Sequence, residues 1–264
     1  MSHLLLSNIH QQVKKLLPPI NKKLLDNFSL PKKISYKSGS QASISIVTQL
    51  DAQIENYLKK QLKKILPQAG FIGEETAIKV KEYNWIVDPI DGTLNYARQL
   101  PDFAVSIALW HNNEPIYAIT SFPILKEIVH SFNNSGIYLN GEKYHSIFKP
   151  SQKLLAAFSL VSAETQASRI YHQLQSVVPS PRSYGSCVVH GAFTALNRID
   201  VTVLINQAIW DIAAIVLLAK SAGLACHYLS LSPNLAKDHL KQYQYSVILG
   251  RPKLVSSLAK KIKL

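Results

Sequence analysis

Asp88-Pro89-Ile90-Asp91-Gly92-Thr93 sets two carboxylates three residues apart, stiffened by a proline and followed at once by a glycine. The apolar run Trp85-Ile86-Val87 leads into it, and Gly73-Glu74-Glu75 stands shortly before. Hard cations such as Mg²⁺ take oxygen ligands at fixed angles, and a strand end flowing into a proline turn aims two carboxylates and the intervening Ile90 carbonyl at one point. A helix opening at Gly92 and Thr93 adds backbone N–H groups and the positive end of its dipole, both suited to an anion. Metal beside anion on six residues is the chemistry of phosphate. Asp-Pro and Asp-Gly are also ordinary turn formers, so the hexapeptide alone specifies only a turn.

The elements that must carry these residues follow from periodicity. Leu5, Ile9, Val13, Leu16 and Leu17 predict a helix over 4–28, disturbed by Pro18-Pro19 and closed before Pro31. Residues 35–47, with Ser38-Gly39-Ser40, read as a strand pair or a mobile loop. Thr48-Gln49-Leu50-Asp51 has the form of a capping box, and Leu50, Ile54, Leu58, Leu62 and Ile65 mark the buried stripe of the helix behind it. Asp51 therefore lies in a first helical turn, where the dipole favours its charge and would by itself account for it. A short buried strand is expected at 85–87, then antiparallel strands at 103–110, 115–122 and 127–132 joined by His111-Asn112-Asn113 and Asn133-Asn134. Asn140-Gly141 suits a type I′ hairpin.

A second part opens near Pro150, with strands at 154–161, 200–204 and 245–249 and helices at 164–177 and 186–197. Trp210-Asp211-Ile212-Ala213-Ala214 begins an apolar helix that stops at Gly223, and a basic helix ends the chain. The expected organisation is an N-terminal α+β subdomain, 1–150, abutting a C-terminal α/β subdomain, 151–264, without repeats.

A chain of 264 residues that is 47% hydrophobic buries a substantial core. The absence of a long apolar run and of a charged leader points to a cytoplasmic protein that no membrane holds. Two isolated cysteines, Cys187 and Cys226, suit a reducing compartment. The net charge of +13, from 29 basic against 16 acidic residues, attracts phosphates and nucleic acid. Much of it lies in scattered pairs such as Lys22-Lys23, Lys59-Lys60 and Lys63-Lys64, the usual look of solvated helix faces.

Val47-Thr48-Gln49-Leu50-Asp51, Phe71-Ile72-Gly73-Glu74-Glu75, the run from Trp85 to Tyr96, and Trp210-Asp211-Ile212-Ala213-Ala214 occur in one order along the chain. Together they resemble the inositol monophosphatase family of Mg²⁺-dependent, lithium-sensitive phosphatases. The resemblance implies a layered αβαβα carbohydrate-phosphatase-like fold, of the mixed α/β (α+β) class, and a homodimer. It implies that Glu74, Asp88, the Ile90 carbonyl, Asp91 and Asp211 hold two or three Mg²⁺ ions. Catalysis would then fall to Glu74 and a hydrogen-bonded Thr93–Asp51 pair, which activate a water for in-line attack on phosphorus. Asp91, Gly92, Thr93, Ser186, Cys187 and Asp211 would line the phosphate and substrate pocket.

Each residue also has a plainer reading: Glu74 as a surface acid, Thr93 and Asp211 as helix caps. Glu75 is expected beside the ligands or on the surface. Departures from the family pattern shape the substrate expectation. Ser45 stands where an Asp is usual, and Ser221-Ala222-Gly223-Leu224 replaces Glu-Ala-Gly-Gly. Leu204, seven residues before Asp211, replaces a Glu that binds substrate in inositol-specific members, which argues against myo-inositol 1-phosphate. Leu94-Asn95-Tyr96 sides with simple phosphomonoesterases rather than nucleotide bisphosphatases, and Arg182 to Cys187 distantly resembles a histidinol-phosphate phosphatase motif lacking its acid.

Arg182 shapes the pocket or pairs with a carboxylate. Cys187 reads as a buried wall rather than a nucleophile, and His190 as a packing residue. The reading is a phosphomonoesterase for a small phosphorylated alcohol, such as an inositol-phosphate-like compound, a sugar phosphate or histidinol phosphate. The alternatives are a nucleotide or sugar bisphosphate phosphatase, and a weakly catalytic member binding RNA or a transcription complex through its basic surface.

Overall fold

The computed structural model describes the chain except for residues 31–33, 38–44, 75, 77–78, 134, 147–152, 161–163 and 263. Ser38-Gly39-Ser40, Glu75 and the boundary at Pro150 thus lie outside the described residues, as does the side chain of Ser45. The elements run α1 (His3–Lys14), α2 (Leu17–Phe28), β1 (Ile34–Lys37), β2 (Ser45–Thr48), α3 (Gln49–Ile65), β3 (Gly70–Gly73), β4 (Tyr83–Asp91), α4 (Thr93–Ala97), β5 (Ala104–His111), β6 (Glu114–Phe122), β7 (Glu127–Phe132), β8 (Tyr138–Leu139) and β9 (Glu142–Lys143). They continue as β10 (Leu155–Leu160), α5 (Glu164–Gln175), β11 (Ser180–Arg182), α6 (Cys187–Ala195), β12 (Val201–Gln207), α7 (Ile209–Ser221), β13 (Ala225–Tyr228), β14 (Tyr245–Gly250) and α8 (Pro252–Lys261).

The expected single helix over 4–28 is two. Pro18 and Pro19 fall in the first turn of α2, where a missing N–H costs nothing, so the prolines start a helix instead of bending one. β1 and β2 pair antiparallel, the strand pair rather than the loop. Asn140 and Gly141 both have positive φ, as the type I′ turn between β8 and β9 requires.

β3 to β9 form a seven-stranded sheet in chain order, and β11-β10-β12-β14-β13 a five-stranded one. Successive side chains of a strand face opposite ways, so Trp85 and Val87 pack with Ile54, Leu58 and Leu62 of α3 while Ile86 turns to α6 and α7. The other side of α6 and α7 meets Leu204, Val247 and Leu249 of the second sheet, whose far face is covered by Ile170 and Leu174 of α5 and Val255 and Leu258 of α8. The order helix, sheet, helix, sheet, helix is the expected αβαβα layering. α7 lies in its middle layer, which explains an apolar surface all round: nine of its residues are buried.

β4 is longer than the short strand expected at 85–87, and it continues through the proline. Asp88 pairs with Ser106 and Asp91 with Ala104, so three steps on β4 face two on β5. That extra residue is a bulge, which tolerates Pro89 because no ladder N–H is needed there. On a regular strand residues three apart face opposite sides. The bulge turns Asp91 back to the side of Asp88 and Ile86, facing α6 and α7, while Ile90 packs toward α3.

α1 is fastened to the sheet by a stacked pair of buried imidazoles, His10 and His130, with ring centroids 3.9 Å apart. His10 Nδ1 hydrogen-bonds Tyr117 Oη at 3.2 Å. Burial, with the Lys14 charge adding to it, lowers His10 to about 4, and burial, His10 and Lys14 lower His130 to about 3. Both rings are neutral in the fold, whereas in the unfolded chain they charge near 6.5. Their contribution is therefore complete above pH 6.5 and is lost as pH falls toward 4 and 3. Thermal unfolding should show a lower Tm at pH 5 than at pH 7, and His130→Phe should flatten that decline; an equal decline in the variant would refute the assignment.

Candidate active site

Asp88 and Asp91 reach the layer between the sheets from β4, and Asp211 reaches it from the first turn of α7. One carboxylate oxygen of each lies within 4.8 Å of the others. Asp88 and Asp91 are buried and Asp211 half-buried. Three acids this close and this dry resist ionising together. Burial first, then the charges of Asp91, Glu74, Asp211 and Asp51, hold Asp88 well above the usual carboxylate range. Asp211 is raised likewise by burial and by Asp91 and Glu74, with some relief from the Ala208 N–H.

Asp91 is raised by burial only to about 6, because Ser186, Val188 and Cys187 hydrogen-bond its charge. The Ser186 hydroxyl donates to Oδ2, Val188 N–H donates to Oδ2 at 2.9 Å, and Cys187 N–H donates to Oδ1 at 3.2 Å. Two are backbone donors at the start of α6, where N–H groups have no partner within the helix. Ser186 is also the N-cap, accepting from Val189 N–H at 3.1 Å. Ser186 and Cys187, expected to face phosphate, are here joined to Asp91. Val188 was not singled out from the sequence, and only its place after a capping serine could have marked it.

Asp211 both caps and faces the cluster: Oδ2 accepts from Ala208 N–H at 2.8 Å. Asp51, buried in the first turn of α3, receives the Thr93 hydroxyl at 3.3 Å, and Thr93 also donates to the Ile90 carbonyl at 2.9 Å. Ile90 N–H in turn donates to Asp88 Oδ1 at 3.0 Å. Gly92 has φ 85° as the N-cap of α4, and a Cβ there would lie 2.9 Å from the Asp102 carbonyl, so the turn requires glycine. Glu74, half-buried just beyond β3, is near enough for its charge to raise all three aspartates yet lies outside the set that converges within 4.8 Å.

The surroundings decide several open readings. Burial and the charges of Asp211 and Asp91 push the Cys187 thiol well up, and it donates to Gln207 Oε1 at 2.9 Å: it is a wall. Buried His190 accepts the Tyr184 N–H at 2.8 Å and is held neutral by burial, near 4, in a packing role; its Nδ1 has no hydrogen-bond partner among the described residues. Arg182 pairs with no carboxylate among the described residues; its Nη1 bonds the carbonyl and hydroxyl of Ser180. Asn95, read in the sequence only as part of Leu94-Asn95-Tyr96, ties the Asp102 carbonyl to that of Tyr184 at 2.7 and 2.6 Å and so fixes the loops around α4. Leu204 is wholly buried in β12.

An αβαβα fold with three carboxylates converging between its sheets defines a metal-dependent phosphoric monoester hydrolase. The chain belongs to the inositol monophosphatase family, whose profile matches residues 8–259. It is 27% identical over 209 residues to the fructose-1,6-bisphosphatase/inositol-1-monophosphatase of Thermotoga maritima, covering 79% of this chain and 80% of that protein. It is 31% identical over 192 residues to the Nus factor SuhB of Xylella fastidiosa, covering 69% of each. The fold superimposes with a TM-score of 0.79 on an IMPase/NADP phosphatase solved with Mg²⁺ and phosphate, at 20% identity and 97% and 95% coverage of the two chains.

Proposed function

We propose that the chain hydrolyses a small phosphorylated alcohol, with myo-inositol 1-phosphate not its preferred substrate, and with Mg²⁺ held by Asp88, Asp91 and Asp211 and completed by Glu74 and the Ile90 carbonyl. The observation that carries this reading is the cluster of three aspartates, two buried and one half-buried. It concentrates negative charge in a dry layer, and its donors are all oxygen, the chemistry a hard divalent cation matches. Bound there, the ion supplies positive charge to the phosphoryl oxygens and makes a nearby water nucleophilic at neutral pH.

The chain's own residues do the rest. Thr93, whose hydrogen already serves Asp51 and Ile90, offers its lone pairs to the attacking water, and Asp51 accepts the proton passed through that hydroxyl. Glu74 orients the same water; as it attacks, the ester P–O bond breaks and the leaving alkoxide takes a proton from solvent water. The Gly92 and Thr93 N–H groups receive phosphate oxygens, where negative charge grows in the transition state. Ser186, Cys187 and Val188 hold Asp91 in position.

Leu204 supports the substrate side of the reading, since an aliphatic chain sealed in the core accepts no sugar hydroxyl. Phosphate release should be measured from glycerol 2-phosphate, histidinol phosphate, fructose 1,6-bisphosphate, NADP and myo-inositol 1-phosphate, with Mg²⁺ and with chelator. The expected result is Mg²⁺-dependent release with myo-inositol 1-phosphate not the preferred ester, and inhibition by Li⁺ that weakens as Mg²⁺ rises. Preference for myo-inositol 1-phosphate would remove the substrate assignment; no Mg²⁺-dependent release from any ester would remove the enzymatic one.

The net charge of +13 favours one further reading, a weakly catalytic member whose basic surface binds RNA or a transcription complex, and one relative is named a Nus factor. RNA affinity that falls steeply with salt would support it, because the slope counts neutralised phosphates.

A further inference from the structure

A cavity of about 430 Å³ opens at the end of α7 remote from Asp211. It is large enough for a small metabolite. Its polar lining comes from four places: Lys143 of β9 with His145 and Ser146 just after it, Asn197 after α6, Ser221 at the end of α7, and Arg251 before α8. Ile137 and Leu224 supply the apolar wall, and Ser221 and Leu224 are two of the positions at which the chain departs from its family pattern. Among the described residues no acid lines the cavity. From Asp211 to Ser221 is ten residues of helix, about 15 Å at 1.5 Å per residue, so the cavity is separate from the aspartate cluster.

The lining is built from donors. Arg251 Nη2 is committed to Asp200 at 2.7 Å and to Asn197 Oδ1 at 3.1 Å, which fixes the guanidinium plane with Nη1 outside those bonds. Asn197 Nδ2 passes the link on to Ser146 Oγ at 3.0 Å and so joins the two walls. A helix C-terminus normally repels an anion. Here the last α7 carbonyls are engaged: Leu218, Lys220 and Ala219 accept the N–H groups of Ala222, Gly223 and Leu224, each at 3.0 Å. Asp200 offsets Arg251, which leaves Lys143 as a lysine of the lining with no ion pair among the described residues.

From this arrangement we infer a second anion site, away from the catalytic centre, that takes a small phosphate-bearing metabolite between Lys143 and Arg251. A tetrahedral oxyanion accepts from several such donors at once, and charge-assisted bonds from ammonium and guanidinium are the strong ones.

The test uses the full chain without Mg²⁺, where the acidic cluster repels anions and no turnover occurs, so its outcome is independent of the proposed activity. Inorganic phosphate is titrated while backbone amide resonances are followed by NMR. Saturable shifts are expected at Gly136, Lys143, His145 and Ser221, and Lys143→Glu, an exposed substitution with no packing role, should weaken the midpoint at least tenfold while Asp91→Asn leaves it unchanged. His145→Glu should weaken it too. The inference is overturned if those amides do not shift saturably, or if Lys143→Glu binds phosphate as the unaltered chain does.

Discussion

Asp91→Asn should cut phosphate release by about a thousandfold, close to 4 kcal/mol of lost transition-state stabilisation, and should do so without unfolding the protein. The substitution keeps the shape of the side chain and, with its one oxygen at the Oδ2 position, the acceptor for the Ser186 hydroxyl and the Val188 N–H at 2.9 Å, giving up only the longer bond from Cys187 N–H at 3.2 Å. What it removes is charge. Without Mg²⁺ that charge is a cost, since Asp91 is buried and adds to the burden on Asp88 and Asp211. The metal-free variant should therefore melt no lower than the parent, and the rise in Tm that Mg²⁺ gives the parent should shrink sharply, because a ligand stabilises only what binds it. A fall in activity accompanied by an equal fall in metal-free Tm would instead make Asp91 a structural residue.

The second large effect is expected far from the chemistry, at Gly191. This glycine is in the middle of α6, and a Cβ added to it would lie 2.5 Å from the Cβ of Ile215 on α7. Backbone and side chain of the two helices touch there, so Gly191→Ala must force them apart. Overpacking of this kind costs about 1–3 kcal/mol, several degrees of Tm in a chain of this size. The start of α6 holds Asp91 and the start of α7 carries Asp211, so separating the helices should also raise the Mg²⁺ concentration for half-maximal activity. Ile215→Ala added to Gly191→Ala should restore part of both, a coupling that contacting residues show and distant ones do not. Unchanged Tm in Gly191→Ala would contradict the packing account.

Much of this site is legible in the sequence because it lies on local signals. The capping pattern before Asp51, the glycine after Asp91 and the apolar run behind Asp211 each mark a helix start, and the structure finds a helix at all three. Gly191 shows the limit: a glycine inside a helical pattern is visible, but its partner is 24 residues away and no periodicity names it. The bulge in β4 is hidden for a related reason. A proline after Val87 reads as the end of a strand, and only pairing with β5 reveals that the strand continues and turns Asp91 to the side of Asp88. β3 and β13, four residues each, and β11, with three, escape notice because too few residues alternate. The donors of Ser186, Cys187 and Val188 to Asp91 span more than ninety residues of sequence and arise from tertiary packing alone.

The central claim is that Asp88, Asp91 and Asp211 form the metal centre on which hydrolysis depends. Its most direct measurement is an anomalous difference map from crystals soaked in Mn²⁺ and phosphate, Mn²⁺ standing in for Mg²⁺. The expected result is a peak within bonding distance of carboxylate oxygens from all three aspartates, with phosphate beside Gly92 and Thr93. Saturating Mn²⁺ that leaves the three carboxylates without a peak, or that orders only elsewhere on the protein, would contradict it.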